Sequence, residues 1–244
     1  MNSQKLKSRM YSGVRSWNPY KGCDFHCVYC KPSFQRQAKR QRKRCEFCYR
    51  YEPHFHPELL NKVPKSDTVF CCAFGDIWFA KMEWIKQILE VIEKHEDKEF
   101  YLQTKQPLIF HRMIWNGLKI PKNVILGITL ETNRPIFDTP SEYKFYKQIS
   151  KAPSVGVRWM NFTSSKLRKY RKFITIEPIL DFDMRTFIEM IKKVKRLEFV
   201  YVGYDNHSTK LPEPSLTKTL YLSEELEKFT EVRIKEPLRK AWYE

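Results

Sequence analysis

TVFCCAFGDIWFAKMEWIKQILEVIEKHEDKEFYLQT, residues 68–104, reads as one strand–helix–strand unit. Its first seven residues, TVFCCAF (68–74), are almost wholly apolar, which suits a strand buried on both faces. Residues 82–95 then set Trp84, Ile85, Ile88, Leu89 and Ile92 on one helical face. EFYLQT (99–104) is the second strand.

The same alternation runs on toward the C-terminus. A helix over 107–116 leads to the strand NVILGITL (123–130), then a helix over 141–151. Residues 152–170 carry no readable period. KFITIEP (172–178) is a strand ended by Pro178, and 183–196 is a helix with Met184, Phe187, Ile188, Ile191 and Val194 on one face. FVYVG (199–203) is a strand, 215–229 a helix and EVRIKE (231–236) a last strand. Upstream, residues 11–19 are a short strand running into a loop. Strands thus alternate with helices about seven times, which implies an α/β fold of parallel strands and right-handed crossovers. Open doubly wound sheets and barrels both satisfy the pattern, and a full eight-fold barrel is tight in 244 residues. In either case active residues belong at the C-terminal ends of strands. The reading treats 1–244 as one domain, with 31–67 a polar, basic insertion after the first strand.

The composition sets bounds. With 42% apolar and 30% charged residues, the chain is neither globally disordered nor a coiled coil. No run approaches the length of a membrane span, and MNSQKLKSRMYSG lacks the apolar region of a secretion signal, so a cytoplasmic protein with no membrane partner is expected. Lys and Arg total 45 against 28 acids, a net +17, which points to a polyanionic partner, nucleic acid first and an anionic membrane surface second. Seven glycines without G-x-G spacing exclude dinucleotide and P-loop fingerprints.

Seven cysteines, an odd number, argue against a disulfide framework. Three of them lie in WNPYKGCDFHCVYC (17–30), as Cys23-x3-Cys27-x2-Cys30. Thiolates this close can wrap a metal or a cluster. Structural zinc normally takes four ligands, whereas three leave one iron of a [4Fe–4S] cluster without a protein ligand. Zinc and unmetallated thiols stay open as alternatives.

This spacing, with aromatic Tyr29 just before the last cysteine, resembles the radical S-adenosylmethionine (SAM) superfamily, whose signature C-x3-C-x-aromatic-C follows the first strand of a partial (β/α)6, TIM-like barrel. Further strings are similar to a phage-associated radical-SAM-like family distantly related to spore photoproduct lyase: FGDIW (74–78), QTK (103–105), LGITLETNR (126–134), FITIEPIL (173–180) and VYVGYDN (200–206). The resemblance implies a [4Fe–4S] cluster whose open iron binds SAM. One electron, from a donor such as flavodoxin or ferredoxin, would cleave SAM to a 5′-deoxyadenosyl radical. The basic insertion departs from the family pattern, so its role is not carried over. The resemblance also implies cofactor contacts at Tyr29, at Gly75 and Asp76 for the SAM amino group, at Thr104 and Lys105 for its carboxylate or a phosphate, at Glu131 and Asn133 for the ribose, and at Glu177. Turns, caps and solvated surface charges are the competing readings of each.

The second pair, Cys45-x2-Cys48, is followed by His54 and His56, four donors sufficient for tetrahedral Zn2+. Partial ligation of an auxiliary Fe–S cluster and a metal-free loop are the alternatives. Cys71 and Cys72, adjacent in a strand, should face opposite ways and pack in the core. Arg36, Lys39, Arg40, Arg42, Lys43 and Arg44 form a run without an acid, suited to phosphates. Phe34, Tyr49, Tyr51 and Trp78 are available for base stacking, though packing is their ordinary use. The expected function is a radical SAM enzyme that repairs or modifies a nucleic-acid base. The alternatives are the same chemistry on a nucleotide, peptide or metabolite, and a zinc-stabilised, non-enzymatic nucleic-acid-binding protein.

Overall fold

The computed structural model describes residues 11–134, 146–207, 209–235 and 238–244. Seven of its strands form one sheet: β1 (Val14–Trp17), β4 (Thr68–Cys71), β5 (Glu99–Thr104), β6 (Val124–Thr129), β7 (Lys172–Ile176), β8 (Leu197–Val202) and β9 (Glu231–Ile234), in the order β1-β4-β5-β6-β7-β8-β9. β1 pairs with β4, β4 with β5, β7 with β8 and β8 with β9, all in parallel. The order follows the chain without the reversal that defines a doubly wound sheet, so of the two α/β alternatives the barrel-type order is realised. β2 (Tyr20–Lys21) and β3 (His54–Phe55) form a separate antiparallel pair.

Residues Gly13–Gly127 with Lys147–Ala152 make one compact unit, and the described residues of Met1–Ser12, Ile128–Tyr146 and Pro153–Glu244 make another. In the first unit, helix α3 (Met82–Glu93) buries Ile85, Ile88, Leu89 and Ile92, each worth about 1.5–3 kcal/mol on leaving water. Trp84 turns aside and stacks on Phe55 at 5.6 Å between ring centres. Helix α4 (Leu108–Trp115) follows β5 and buries Ile109, Phe110 and Met113. The insertion is a run of short helical turns from Val28 to Gln41, including α1 (Arg36–Ala38), then α2 (Glu46–Arg50), β3 and the turn Pro57–Leu59. Register fixes Tyr20 opposite Phe55 and Lys21 opposite His54.

In the second unit, β7 and β8 are buried along most of their length and joined by stacked Phe173 and Phe199, 5.1 Å apart. Helix α6 (Met184–Lys192) buries Phe187, Ile188, Met190 and Ile191, and α7 (Leu216–Glu227) buries Leu222 and Leu226. Helix α5 (Val155–Thr163) fills the stretch without a readable period. Its pattern is masked because the fully buried Arg158 occupies an interior position that an apolar residue would normally mark. Of the helix expected over 141–151, residues 141–145 lie outside the described residues and 146–149 are helical. Among the described residues, no helix is long and apolar enough to cross a membrane.

Candidate metal and cofactor site

The thiol loop opens at Gly22, whose φ of +92° suits glycine. A Cβ there would lie 2.0 Å from the Glu52 carbonyl oxygen, and one on Gly75 would lie 2.6 Å from the Gly22 oxygen. The two glycines form an isolated parallel bridge: Gly22 N donates to Phe74 O at 3.0 Å, and Asp76 N donates to Gly22 O at 3.2 Å. Cys23 N donates to Tyr51 O at 3.3 Å. The loop is therefore tied both to the end of β4 and to the insertion. The close approach that Gly75 permits is to the backbone of Gly22.

Cys27 is 3% exposed, and Cys23 and Cys30 are half-buried. Cys30 N donates to Cys27 O at 3.0 Å, closing the turn Val28–Cys30 and bringing the two side chains together. A hydrogen bond from the Cys30 thiol lowers the Cys27 pKa, against the opposing effect of burial; Lys105 and Ser150, at 3.1 Å from the Cys27 sulfur, lower it further. Cys30, the donor of that pair, is pushed up. Burial raises Cys23, and Asp76 adds to the rise. Burial raises the Tyr51 pKa, and the nearby Cys23, Cys30 and Cys27 add to the rise.

Asp76 begins the turn after β4. It accepts from Thr104 Oγ1 at 2.6 Å, Lys105 N at 2.7 Å and Trp78 N at 3.0 Å. Burial raises its pKa despite these donors. Three of about four lone-pair directions on its carboxylate are thus in use. The Lys105 ammonium lies 5.2 Å from the centre of the Tyr29 ring and favours all three thiolates. Tyr29, Gly75, Asp76, Thr104 and Lys105 are brought together with the trio in the first unit.

The remaining cofactor candidates lie in the second unit, and their side chains have protein partners. Glu131 is fully buried, 2.8 Å from Arg158 Nη1 and 3.3 Å from the Tyr146 hydroxyl. Asn133 donates to Asp183 O at 2.9 Å and accepts from Asp183 N at 2.8 Å, fixing the residue that starts α6. Glu177 is ion-paired with Lys235 and accepts from Tyr11 at 3.4 Å. Sequence reasoning missed Gly22, Tyr51 and Ser150 as partners of the trio. Gly22 had a signal, a glycine directly before the first cysteine; Ser150 had none.

Cys45, Cys48, His54 and His56 converge, with one ligand atom from each lying within 4.8 Å of the others. His54 Nε2 is 3.5 Å from Cys45 Sγ and 3.2 Å from Cys48 Sγ, and His56 Nε2 is 3.2 Å from Cys48 Sγ. Burial lowers the His54 pKa, keeping the ring in its neutral, ligating form. The six cations of the basic run are all exposed. Lys39 and Arg42 lie over Tyr49, at 4.4 and 5.8 Å. Phe34 packs on Phe74, and Trp78 carries Arg112 at 5.0 Å. Cys71 and Cys72 are both buried, but strand alternation fails at this pair. Cys72 has left the strand with φ +59°, so the two sulfurs lie 3.6 Å apart on one side.

The trio suits a cluster bound by three thiolates. Among the described residues, Cys45, Cys48, His54 and His56 draw their ligand atoms within 4.8 Å of one another, whereas Cys23, Cys27 and Cys30 stand wider apart than such a single-ion cage. A spore photoproduct lyase variant solved with a dinucleoside spore photoproduct superposes with a TM-score of 0.57 at 12% identity, covering 93% of this chain and 65% of that one. A radical SAM methyltransferase from Sphaerobacter thermophilus superposes with a TM-score of 0.54 at 10% identity, covering 91% and 65%. The chain therefore spans less than two thirds of either structure, and the likeness establishes a radical SAM-type fold. No curated protein matches. The model of the family described as "Protein of unknown function (DUF5131)" matches residues 8–146, more than half of the chain, and this protein belongs to that family.

Proposed function

We propose that the protein is a radical SAM enzyme that acts on a base of nucleic acid. The observation that supports the chemistry is Cys23, Cys27 and Cys30 on one loop whose backbone is tied to the end of β4, with Lys105, directly after β5, 5.2 Å from the centre of the Tyr29 ring. When bound, a [4Fe–4S] cluster with SAM supplies, after one-electron reduction, a 5′-deoxyadenosyl radical able to remove hydrogen from a substrate.

The chain's own residues supply the rest. The three thiolates would hold the cluster, and Lys105 offsets part of their negative charge. Asp76 keeps one lone-pair direction for the SAM ammonium, held in aim by Thr104 and the Lys105 amide. Burial of Cys27 limits water at that sulfur, which helps to protect a reactive species from stray donors. The substrate reading rests on the net charge of +17 and on six exposed cations in nine residues. These would hold phosphates without reading sequence.

The test is SAM cleavage by anaerobically reconstituted, reduced protein, alone and with DNA or RNA. Cleavage that one polymer stimulates is expected. Cleavage unaffected by either polymer points to a small substrate or peptide. Zinc without iron, and no cleavage, overturns the enzyme reading in favour of a binding protein.

A further inference from the structure

We infer that Cys45, Cys48, His54 and His56 form a closed structural zinc site, and that this site clamps the first residues of the thiol loop. The donor set is S2N2, which selects zinc or iron–sulfur. Scale decides between them. A tetrahedral zinc with bonds of about 2.3 Å to sulfur and 2.0–2.1 Å to nitrogen sets S···N near 3.6 Å and N···N near 3.3 Å. The observed S···N separations are 3.2, 3.2 and 3.5 Å, and the two Nε2 atoms are 2.7 Å apart. One ion fits at the centre after a shift of about half an ångström in the His pair, whereas a multi-iron core demands a much wider cage.

The surroundings are those of a metal site. His54 Nδ1 donates to the Glu52 carbonyl at 2.7 Å, and His56 Nδ1 donates to Glu58 Oε1 at 2.7 Å. Both rings are thereby set to present Nε2 inward, as ligating histidines are. Cys48 N donates to Cys45 Sγ at 3.4 Å, and Lys21 Nζ lies 3.8 Å from Cys48 Sγ, so each sulfur has an N–H donor beside it. Four protein donors leave no open coordination position, which makes the site structural and not catalytic.

Its task follows from what it is joined to. His54 pairs with Lys21 in the β2–β3 register, and Gly22 and Cys23 come next. Tyr51 O accepts from Cys23 N, and Glu52, whose carbonyl holds His54, packs against Gly22. A metal at this cluster therefore fixes the backbone from which Cys23 projects. The zinc assignment stands apart from the radical reading.

Metal analysis of the full-length protein tests it. Zinc-supplemented wild type should carry one zinc per chain, and Cys27→Ala should keep it while losing cluster iron. Cobalt in its place should give the visible bands of a tetrahedral thiolate site. Cys45→Ser should lose the metal, and Cys45→His, which keeps four donors, should retain it. Glu58→Ala should weaken zinc binding about 10–100-fold. On chelation of the wild type, exchange of the Gly22 and Cys23 amides should accelerate by about tenfold or more. Zinc-free protein after supplementation, octahedral cobalt, or iron retained here in Cys27→Ala would overturn the site. Unchanged amide exchange on metal removal would overturn the clamp.

Discussion

Gly22 and Gly13 both have positive φ, +92° and +74°, yet only Gly22 has backbone where a Cβ would go. Each substitution to alanine incurs strain of about 1–3 kcal/mol, and Gly22→Ala adds a clash with the Glu52 carbonyl that forces the thiol loop and the Glu52 backbone apart. Thermal unfolding should show Gly22→Ala well below Gly13→Ala, with iron uptake reduced in Gly22→Ala alone. Equal behaviour of the two would show that the loop is not held as described. At Glu131 and Arg158, both fully buried, the arithmetic is different. Arg158→Met strands a carboxylate out of water and should reduce stability by about 3–5 kcal/mol in denaturant titration. The pair of substitutions Glu131→Gln and Arg158→Met together should recover much of that loss.

The elements legible in the sequence were those with an unbroken period. α3 and α6 each present a clean apolar face, and β6 is buried at every position. α5 was unreadable because its core-facing Arg158 looks like a surface residue until Glu131, 27 positions earlier, is known to meet it. β7 begins with another misleading residue. Lys172 is buried, with Nζ donating to the carbonyls of Leu167, Tyr170 and Lys195. Burial, and then Arg196, lower its pKa from 10.5 to about 8. The unfolded chain therefore binds the extra proton up to higher pH than the folded one, and stability rises as pH climbs from about 8 toward 10.5. Wild type should gain on the order of 1–2 kcal/mol over Lys172→Met across that window, read by urea unfolding at several pH values. A parallel response in the two proteins would contradict the assignment. The candidate site was legible only in part for a related reason. Spacing exposed Cys23, Cys27 and Cys30 and the Cys45 to His56 set because their chemistry is local. Ser150 and Tyr51 reach the trio through tertiary contacts that no local pattern reports.

For the whole molecule, charge is the property with the longest reach. None of the six cations of the 36–44 run has a carboxylate partner among the described residues, so their field is offered to solvent. Binding to DNA or RNA should weaken steeply with salt, the slope of log K against log salt being about −0.9 per phosphate neutralised on a duplex. Replacing Arg40, Arg42, Lys43 and Arg44 by Gln should flatten that slope by up to about 3–4 and leave the fold intact, since all four are exposed. An unchanged slope would move the nucleic-acid surface elsewhere. Radical SAM chemistry requires a cluster with one iron that no protein side chain ligates. Its most direct test is the electron paramagnetic resonance spectrum of the reduced, reconstituted protein, recorded before and after SAM is added. A cluster held by Cys23, Cys27 and Cys30 alone should shift its g-values when SAM occupies the fourth iron. A spectrum that SAM leaves unaltered, in protein with a full complement of iron, would contradict it.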